Sequence, residues 1–273
     1  PPFFNDTATT EIYTTEESSA ASDVYKRQQT DDARLTRSVL QSARTLGAEL
    51  ITNAEFMLAR LDDSKVEVTY VKEGNTTTVG AAVLVNAAGS WVNQVQQRII
   101  EHSGEPMASY GLELVQGSHI VVPGEISHPY YLEAPQDGRA VFVVPWKNNI
   151  MVGTTERHYD GNPAAVSPHA SEIDYLLEIY NHYFNRGLEA GDVIDAFAGL
   201  RVLPGGSGNA SSKSRDTHLH LNDQRRPRVV SIYGGKLTSY RATAEKVMRR
   251  IGKVLPKIPP VADTRNLELT LID

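Results

Sequence analysis

Apolar residues recur at regular spacings from about Thr30 onward. The first set has helical spacing and predicts a helix that ends at Gly47; its members are Leu35, Val39, Leu40 and Leu46. A short strand over 49–52 is expected next. Alternation over 65–71, a Gly74-Asn75 turn and the run 76–86 then predict a hairpin.

The middle of the chain is rich in predicted strands. Segments 140–146 and 150–155 flank the turn 147–149 and form the best hairpin signal in the sequence. One surface helix is predicted over 171–184. Further strands are predicted over 118–122, 193–201 and 217–221. The order indicates a mixed α/β core with a mainly antiparallel sheet attached.

Two predicted strands end in small residues that precede a helix. A buried strand over 82–85 leads to Asn86-Ala87-Ala88-Gly89 and a helix over 91–100. The run 229–233 stops at Gly234-Gly235, and Lys236 precedes an amphipathic helix. Such glycines let a ligand approach the backbone, and a lysine in a first helical turn favours a bound anion. A solvated lysine and tight helix packing at Gly89 remain alternatives.

Composition narrows the class of protein. The chain has 273 residues, 40% of them hydrophobic, and no apolar run approaches the roughly 20 residues that span a bilayer. The absence of cysteine excludes disulfides, thiolate metal sites and a cysteine nucleophile. A net charge of −6 with scattered basic residues argues against nucleic-acid binding. Arg225, Arg226 and Arg228 are expected to decorate a turn, and the composition suits a cytoplasmic protein.

Residues 1–28 differ from the rest. They are rich in Thr, Ser, Ala and Glu, lack sustained periodicity, and have neither the basic start nor the apolar centre of a signal peptide. Two strings, 3–14 and 18–28, look like translated sequencing-adapter sequence. We therefore expect a disordered, non-native leader.

The chain contains eight short motifs: DARL at 32–35, VNAAGSWV at 85–92, QGSHIVVP at 116–123, VPW at 144–146, VGTTE at 152–156, AGLR at 198–201, SRD at 214–216 and YGGKLTSYR at 233–241. From about Thr30 to its end the chain resembles the FAD-dependent, quinone-linked glycerol-3-phosphate dehydrogenases, in which such motifs occur in the same order. The family's opening G-x-G-x-x-G is missing, and its helical C-terminal region is expected to be truncated.

The resemblance implies a partial FAD-dependent oxidoreductase fold of the α/β class, with some α+β character. It assigns 29–104 and 226–256 to an FAD-binding domain, 105–225 to a β-rich substrate domain, and 257–273 to the start of the truncated region. Because the pyrophosphate-binding turn is missing, this fragment is expected to bind FAD weakly or not at all, and its activity alone is left open.

The implied activity of the parent enzyme is oxidation of sn-glycerol 3-phosphate to dihydroxyacetone phosphate. Hydride would pass from C2 to flavin N5, and electrons would continue to a quinone. The resemblance leaves open a homodimer and peripheral attachment to the inner face of the membrane.

The chemistry requires a phosphate clamp and a group that takes the C2 hydroxyl proton. The clamp candidates are Arg201, Arg215 and Lys236, and His119 is the candidate base or orienting group. Structural alternatives stay open: a hydrogen-bonded strand histidine, a salt-bridged Arg201, and an Arg215 paired with Asp216. His218 and His220 are interpreted as surface residues rather than zinc ligands.

By position in the family pattern, two segments would contact the flavin and Phe56 or Met57 would lie near its adenine. The flavin contacts expected in these segments are Ala87, Ala88, Gly89, Gly234, Gly235, Lys236, Leu237 and Thr238. Two other functions remain. One is an amino-acid oxidase of the glycine or sarcosine type, with Arg201 holding a carboxylate. The other is a non-catalytic partial domain.

Overall fold

The computed structural model describes residues 11–12, 25–26, 30–62, 64–101, 104–205 and 216–272. In these ranges the α-helices are α1 (Asp32–Thr45), α2 (Val92–Gln97), α3 (Ala170–Phe184) and α4 (Tyr240–Ile251). The strands are β1 (Glu11–Ile12), β2 (Tyr25–Lys26), β3 (Ala54–Leu61), β4 (Val66–Lys72), β5 (Asn75–Ala81), β6 (Leu84–Asn86), β7 (Ile99–Ile100), β8 (Leu112–Val122), β9 (Tyr130–Glu133), β10 (Ala140–Trp146), β11 (Asn149–Gly153), β12 (Arg157–Tyr159), β13 (Asp195–Pro204), β14 (His218–Leu221) and β15 (Val229–Tyr233). No helix in the described ranges combines the length and apolar character needed to cross a bilayer.

The largest sheet is antiparallel and is organised around β8. Strand β13 pairs along one edge of β8, while β12 and β11 share its other edge, followed by β10 and β9. The tight β10–β11 turn places Lys147 at a positive φ of 54°. This arrangement confirms the predicted antiparallel sheet and its hairpin.

Helix α3 covers one face of this sheet. Leu176, Ile179 and Tyr180 of α3 are fully buried against the sheet residues Ile120 and Val152. The predicted helix is therefore confirmed, but its description as a surface element was incomplete, because its apolar side closes the main core. Successive side chains of a strand point to opposite faces, so the sequence neighbours of Ile120 and Val152 lie on the other face of the sheet. That face carries the candidate site.

A second, smaller sheet has the order β14-β15-β6, and β15 pairs with β6 in parallel. Helix α4 contributes Val247 and Ile251 to the cluster that buries Val230. A four-stranded sheet, β5-β4-β3-β7, contains the predicted hairpin as β4 and β5. Because β6 and β15 run in the same direction, the segments that follow them leave from the same edge.

Several predicted boundaries were wrong, among them the start of the strand predicted over 118–122, which is β8 and begins at Leu112. Residues 49–52 pair with no described strand, and Leu50 and Ile51 are exposed; β3 begins only after Asn53, whose φ is positive. The helix predicted over 91–100 stops at 97, because Ile99 is buried as a strand residue beside β3. The strand predicted over 82–85 is the shorter β6, and Val85 is exposed.

Two side chains expected on the surface are less exposed than predicted: Arg228 is buried and His220 is half-buried. Arg228 is buried and its Nη1 donates to the carbonyl of Ala82 at 3.0 Å, so it does not decorate the turn. His220 packs its ring against Tyr110 with the centroids 5.1 Å apart, and its Nδ1 is buried; His218 is exposed, as predicted. Tyr110 comes from a distant segment, so strand alternation alone cannot reveal that it covers part of His220.

The leader is described only at β1 and β2, which pair with each other antiparallel. The remainder of 1–28, apart from these two strands, lies outside the described residues. The domain boundaries stay predictions. Strand β14, which the predicted boundary at 225 assigns to the substrate domain, pairs with β15 of the other predicted domain.

Candidate active site

Arg201 lies on β13, on the sheet face opposite α3. Its guanidinium lies against the backbone of Gly117 on β8. A Cβ added to Gly117 would stand 2.9 Å from Nη2 and 3.3 Å from Cζ of Arg201. Nη2 donates to Oγ1 of Thr154 at 3.2 Å. Because Gly117 has no side chain, the guanidinium can lie close against the sheet.

A carboxylate and a second arginine adjoin Arg201. Oε2 of Glu156 lies 2.9 Å from Nη2 of Arg139 and 3.6 Å from Nη1 of Arg201. Arg139 also donates to the carbonyl of Glu156 at 3.3 Å. Arg201 therefore pairs with a carboxylate, as the structural alternative predicted, and it also borders the cavity described below.

His119 lies on β8, opposite Gly153 of β11 and Phe197 of β13. Its ring stacks on Phe197, with centroids 5.1 Å apart and an interplanar angle of 12°. Burial, assisted by the positive charge of Arg201, lowers the pKa of His119 to about 4. The imidazole is thus neutral near pH 7. Its Nδ1 is buried and finds no hydrogen-bond partner among the described residues.

The glycine pair after β15 forms a sharp turn that other residues would strain. Gly234 and Gly235 have φ values of 71° and 100°, and a Cβ at Gly234 would lie 2.8 Å from the carbonyl oxygen of Asp216. Lys236 follows, then a short 3-10 turn, Leu237–Ser239, that leads into α4. The predicted strand-to-helix junction is confirmed.

The corresponding segment after β6 leaves from the same edge, because the two strands are parallel. Asn86 fixes its start: Nδ2 donates to the carbonyl of Val92 at 2.9 Å, and Oδ1 accepts from the N–H of Ala88 at 3.3 Å. Gly89 has a φ of 55° and open space beside it. Two exposed, side-chain-poor turns at the carboxyl edge of adjacent parallel strands fit a flavin dinucleotide.

An open cavity of about 410 Å³ lies between β13 and the turn after β15. Its lining residues are Leu200, Arg201, Val202, Leu203, Gly234, Gly235, Lys236 and Leu237. The structure therefore brings Arg201 and Lys236, two of the three predicted clamp residues, to one cavity. The third, Arg215, lies outside the described residues.

The other predicted residues lie around this cavity or away from it. His119 does not line the cavity, but it is close enough to Arg201 for the charge of Arg201 to help lower its pKa. Thr238 is exposed in the turn that follows Lys236. Phe56 packs into the cluster of Ala59, Ile99 and Val229.

Sequence reasoning missed the polar groups that hold Arg201. Thr154 and Glu156 belong to the VGTTE motif, but their contacts with Arg201 cross 45 or more positions of sequence. Beneath them, the buried carboxylate of Glu172 accepts from Nε2 of Gln116 at 2.6 Å and from Oγ1 of Thr155. The motif could have identified the strand but not the partners.

Comparisons with known proteins agree with this geometry. A family profile described as FAD dependent oxidoreductase matches residues 8–241. The glycerol-3-phosphate dehydrogenase of Pseudomonas aeruginosa is 36% identical over 84% of this chain and 45% of its own length. The D-erythritol 1-phosphate dehydrogenase of Brucella abortus is 34% identical over 84% of this chain and 46% of its own.

A solved structure of Bacillus halodurans glycerol-3-phosphate dehydrogenase complexed with FAD matches with a TM-score of 0.71 and 29% identity. The match covers 82% of this chain and 43% of that one. The chain thus spans about half the length of the curated relatives it matches. With the profile extending across most of the sequence, and with α/β sheets arranged as the resemblance implied, the chain belongs to the FAD-dependent oxidoreductase family.

Proposed function

We propose that this chain is part of an FAD-dependent enzyme that oxidises sn-glycerol 3-phosphate to dihydroxyacetone phosphate. The observation that carries the proposal is the convergence of Arg201 and Lys236 on one cavity beside the glycine turn of 234–235. Two cations suit a phosphate dianion better than the single carboxylate of an amino acid. Arg215 is proposed as a third clamp residue.

The residues proposed to hold FAD are those of the two turns: Ala87, Ala88, Gly89, Gly234, Gly235, Lys236, Leu237 and Thr238. Phe56 is proposed for the adenine. When bound, the flavin supplies the acceptor for the hydride that leaves C2 of the substrate. The backbone N–H groups at the start of 237–239 suit the negative charge that such a group acquires.

His119 is proposed to take the proton of the C2 hydroxyl. Its low pKa keeps the imidazole neutral and able to accept at pH 7. A phosphate dianion beside Arg201 would offset part of the positive charge that lowers this pKa, and so would strengthen His119 as a base when substrate is bound.

We also propose that the electrons pass to a quinone, that the protein is a homodimer, and that it is cytoplasmic with peripheral attachment at the membrane.

A second candidate substrate is a longer polyol phosphate. It is favoured by the match to a D-erythritol 1-phosphate dehydrogenase, whose identity is close to that of the glycerol-3-phosphate dehydrogenases. Both substrates present the same phosphate to the clamp.

The test uses the longest reading frame that contains these 273 residues, purified and supplied with FAD. Glycerol 3-phosphate, erythritol 1-phosphate, glycine and sarcosine are added separately without oxygen, and bleaching of the flavin absorbance is followed. Bleaching by a polyol phosphate is the expected result. Bleaching by glycine or sarcosine alone would establish an amino-acid oxidase, and failure to retain flavin would favour a non-catalytic domain.

A further inference from the structure

Arg139, Glu156 and Arg201 form a charged cluster at the cavity wall, called here the shared-carboxylate cluster. The Glu156 carboxylate lies between the two guanidinium groups, but its distances to them differ. Glu156 lies at 2.9 Å from Arg139 and at 3.6 Å from Arg201. The closer pair has a hydrogen-bond distance, while the longer separation exceeds one.

The cluster is shielded from water. The side chains of Arg139, Glu156 and Arg201 are 32%, 14% and 24% exposed. Electrostatic interactions at such sites are less screened than on an open surface. The position of the Glu156 carboxylate between the two cations therefore affects how strongly Arg201 attracts an anion in the cavity.

Arg139 is well placed to hold this carboxylate away from Arg201. Its backbone is fixed in the turn before β10, where its N–H donates to Oδ1 of Asp137 at 3.1 Å and its carbonyl accepts from Ala134 at 2.8 Å. Its guanidinium then contacts both the side chain and the carbonyl of Glu156. Without Arg139, the nearest cation for Glu156 would be Arg201, and a substrate phosphate would have to compete with an internal carboxylate.

We propose that Arg139 is a positioning residue for phosphate recognition, which holds the Glu156 carboxylate closer to itself than to Arg201 and so weakens its competition with a substrate phosphate for Arg201. This inference rests on the proposed function, since it assumes that Arg201 faces a phosphate group.

The experiment compares Arg139→Gln, Glu156→Gln and the double variant. Binding of inorganic phosphate is measured by phosphorus NMR line broadening, which requires no turnover, and the KM and kcat for glycerol 3-phosphate are measured in parallel. Arg139→Gln should weaken phosphate binding and raise KM about tenfold, equivalent to about 1.4 kcal/mol, with a smaller change in kcat. Glu156→Gln should tighten phosphate binding, because the competing carboxylate is lost.

In the double variant, the weakening caused by Arg139→Gln should disappear, since there is no carboxylate left to release. Arg157→Gln is the matched control. It removes the same charge from the residue next to Glu156, its side chain is exposed, and phosphate binding should stay within about twofold of the parent.

Opposite signs for the two single variants distinguish this role from a structural one, which would weaken binding in both. Weaker or unchanged binding in Glu156→Gln overturns the inference, even if Arg139→Gln does not fold. Absence of glycerol 3-phosphate turnover in the parent would instead overturn the proposed function and leave the phosphate measurements interpretable.

Discussion

The imidazole ring of His119 occupies the space where a side chain on Gly153 would stand. The two residues are directly paired on β8 and β11, and a Cβ at Gly153 would lie 2.7 Å from Cγ of the ring. Gly117 makes the same kind of space for Arg201. Two glycines on neighbouring strands thus make room for His119 and for the hydrogen-bonded pair of Arg201 and Thr154.

Gly117→Ala and Gly153→Ala should each lower the free energy of unfolding by about 1 to 3 kcal/mol, since the added methyl group would displace Arg201 or His119. Chemical denaturation measures the change. Gly199→Ala is the control, because Gly199 is paired with Gly117 and no described atom lies within 4 Å of its Cβ position. A Gly153→Ala variant as stable as the parent would show that the ring has room to move.

His119 should make stability depend on pH. Folding lowers its pKa from 6.5 to about 4, so the unfolded chain takes up the proton first. Stability is therefore lost as pH falls from about 6.5 toward 4, by up to about 3 kcal/mol. Denaturation at about pH 7.5 and about pH 4.5 should show His119→Phe losing roughly 2 to 3 kcal/mol less than the parent. Equal losses in both proteins would contradict the pKa.

Site residues could be predicted where consecutive residues of the sequence place them, and could not be predicted where contacts between distant segments place them. Lys236 could be identified because a strand, two glycines and a helix are consecutive in sequence. Glu156 and Arg139 could not, because a strand pattern does not say which charged residues from a separate turn will meet. His220 was misjudged for the same reason: Tyr110, whose ring packs against it, comes from a segment 110 positions earlier in the sequence.

The fold shows the same division. Helix α1 and the β10–β11 hairpin follow from spacing and turn residues, and both were predicted. The end of α2 was not, because Ile99 leaves the helical pattern to pair with β3, some forty residues earlier in the sequence. Tertiary pairing overrode local spacing there.

Replacement of Arg201 or Lys236 by Ala should reduce kcat/KM for glycerol 3-phosphate by about 100-fold or more, since loss of a charge-assisted contact to the bound phosphate costs roughly 2 to 4 kcal/mol. Steady-state kinetics in the longest reading frame gives the value. Lys246→Ala, on the exposed side of α4, is the control and should be silent. Turnover near the parent value in both cavity variants would exclude the phosphate clamp.

Glu172 should be important for stability. Its carboxylate accepts from Gln116, from Thr155 and, at 3.0 Å, from the N–H of His169. Glu172→Gln would set an amide N–H₂ against these donors and should cost about 2 to 3 kcal/mol. Thermal unfolding compares it with Glu178→Gln, an exposed position on the same helix that should melt like the parent. Equal melting temperatures would mean that the network rearranges freely.

The parallel pairing of β6 with β15 has a consequence for how the chain folds. Asn86 and Ser231, which meet in this pair, are 145 positions apart, and the whole antiparallel sheet lies between them in sequence. Closing so long a loop is slow while the intervening segment is unfolded. The antiparallel sheet should therefore form first and shorten the loop, so that the cavity, which needs both β13 and the turn after β15, is assembled in the last step.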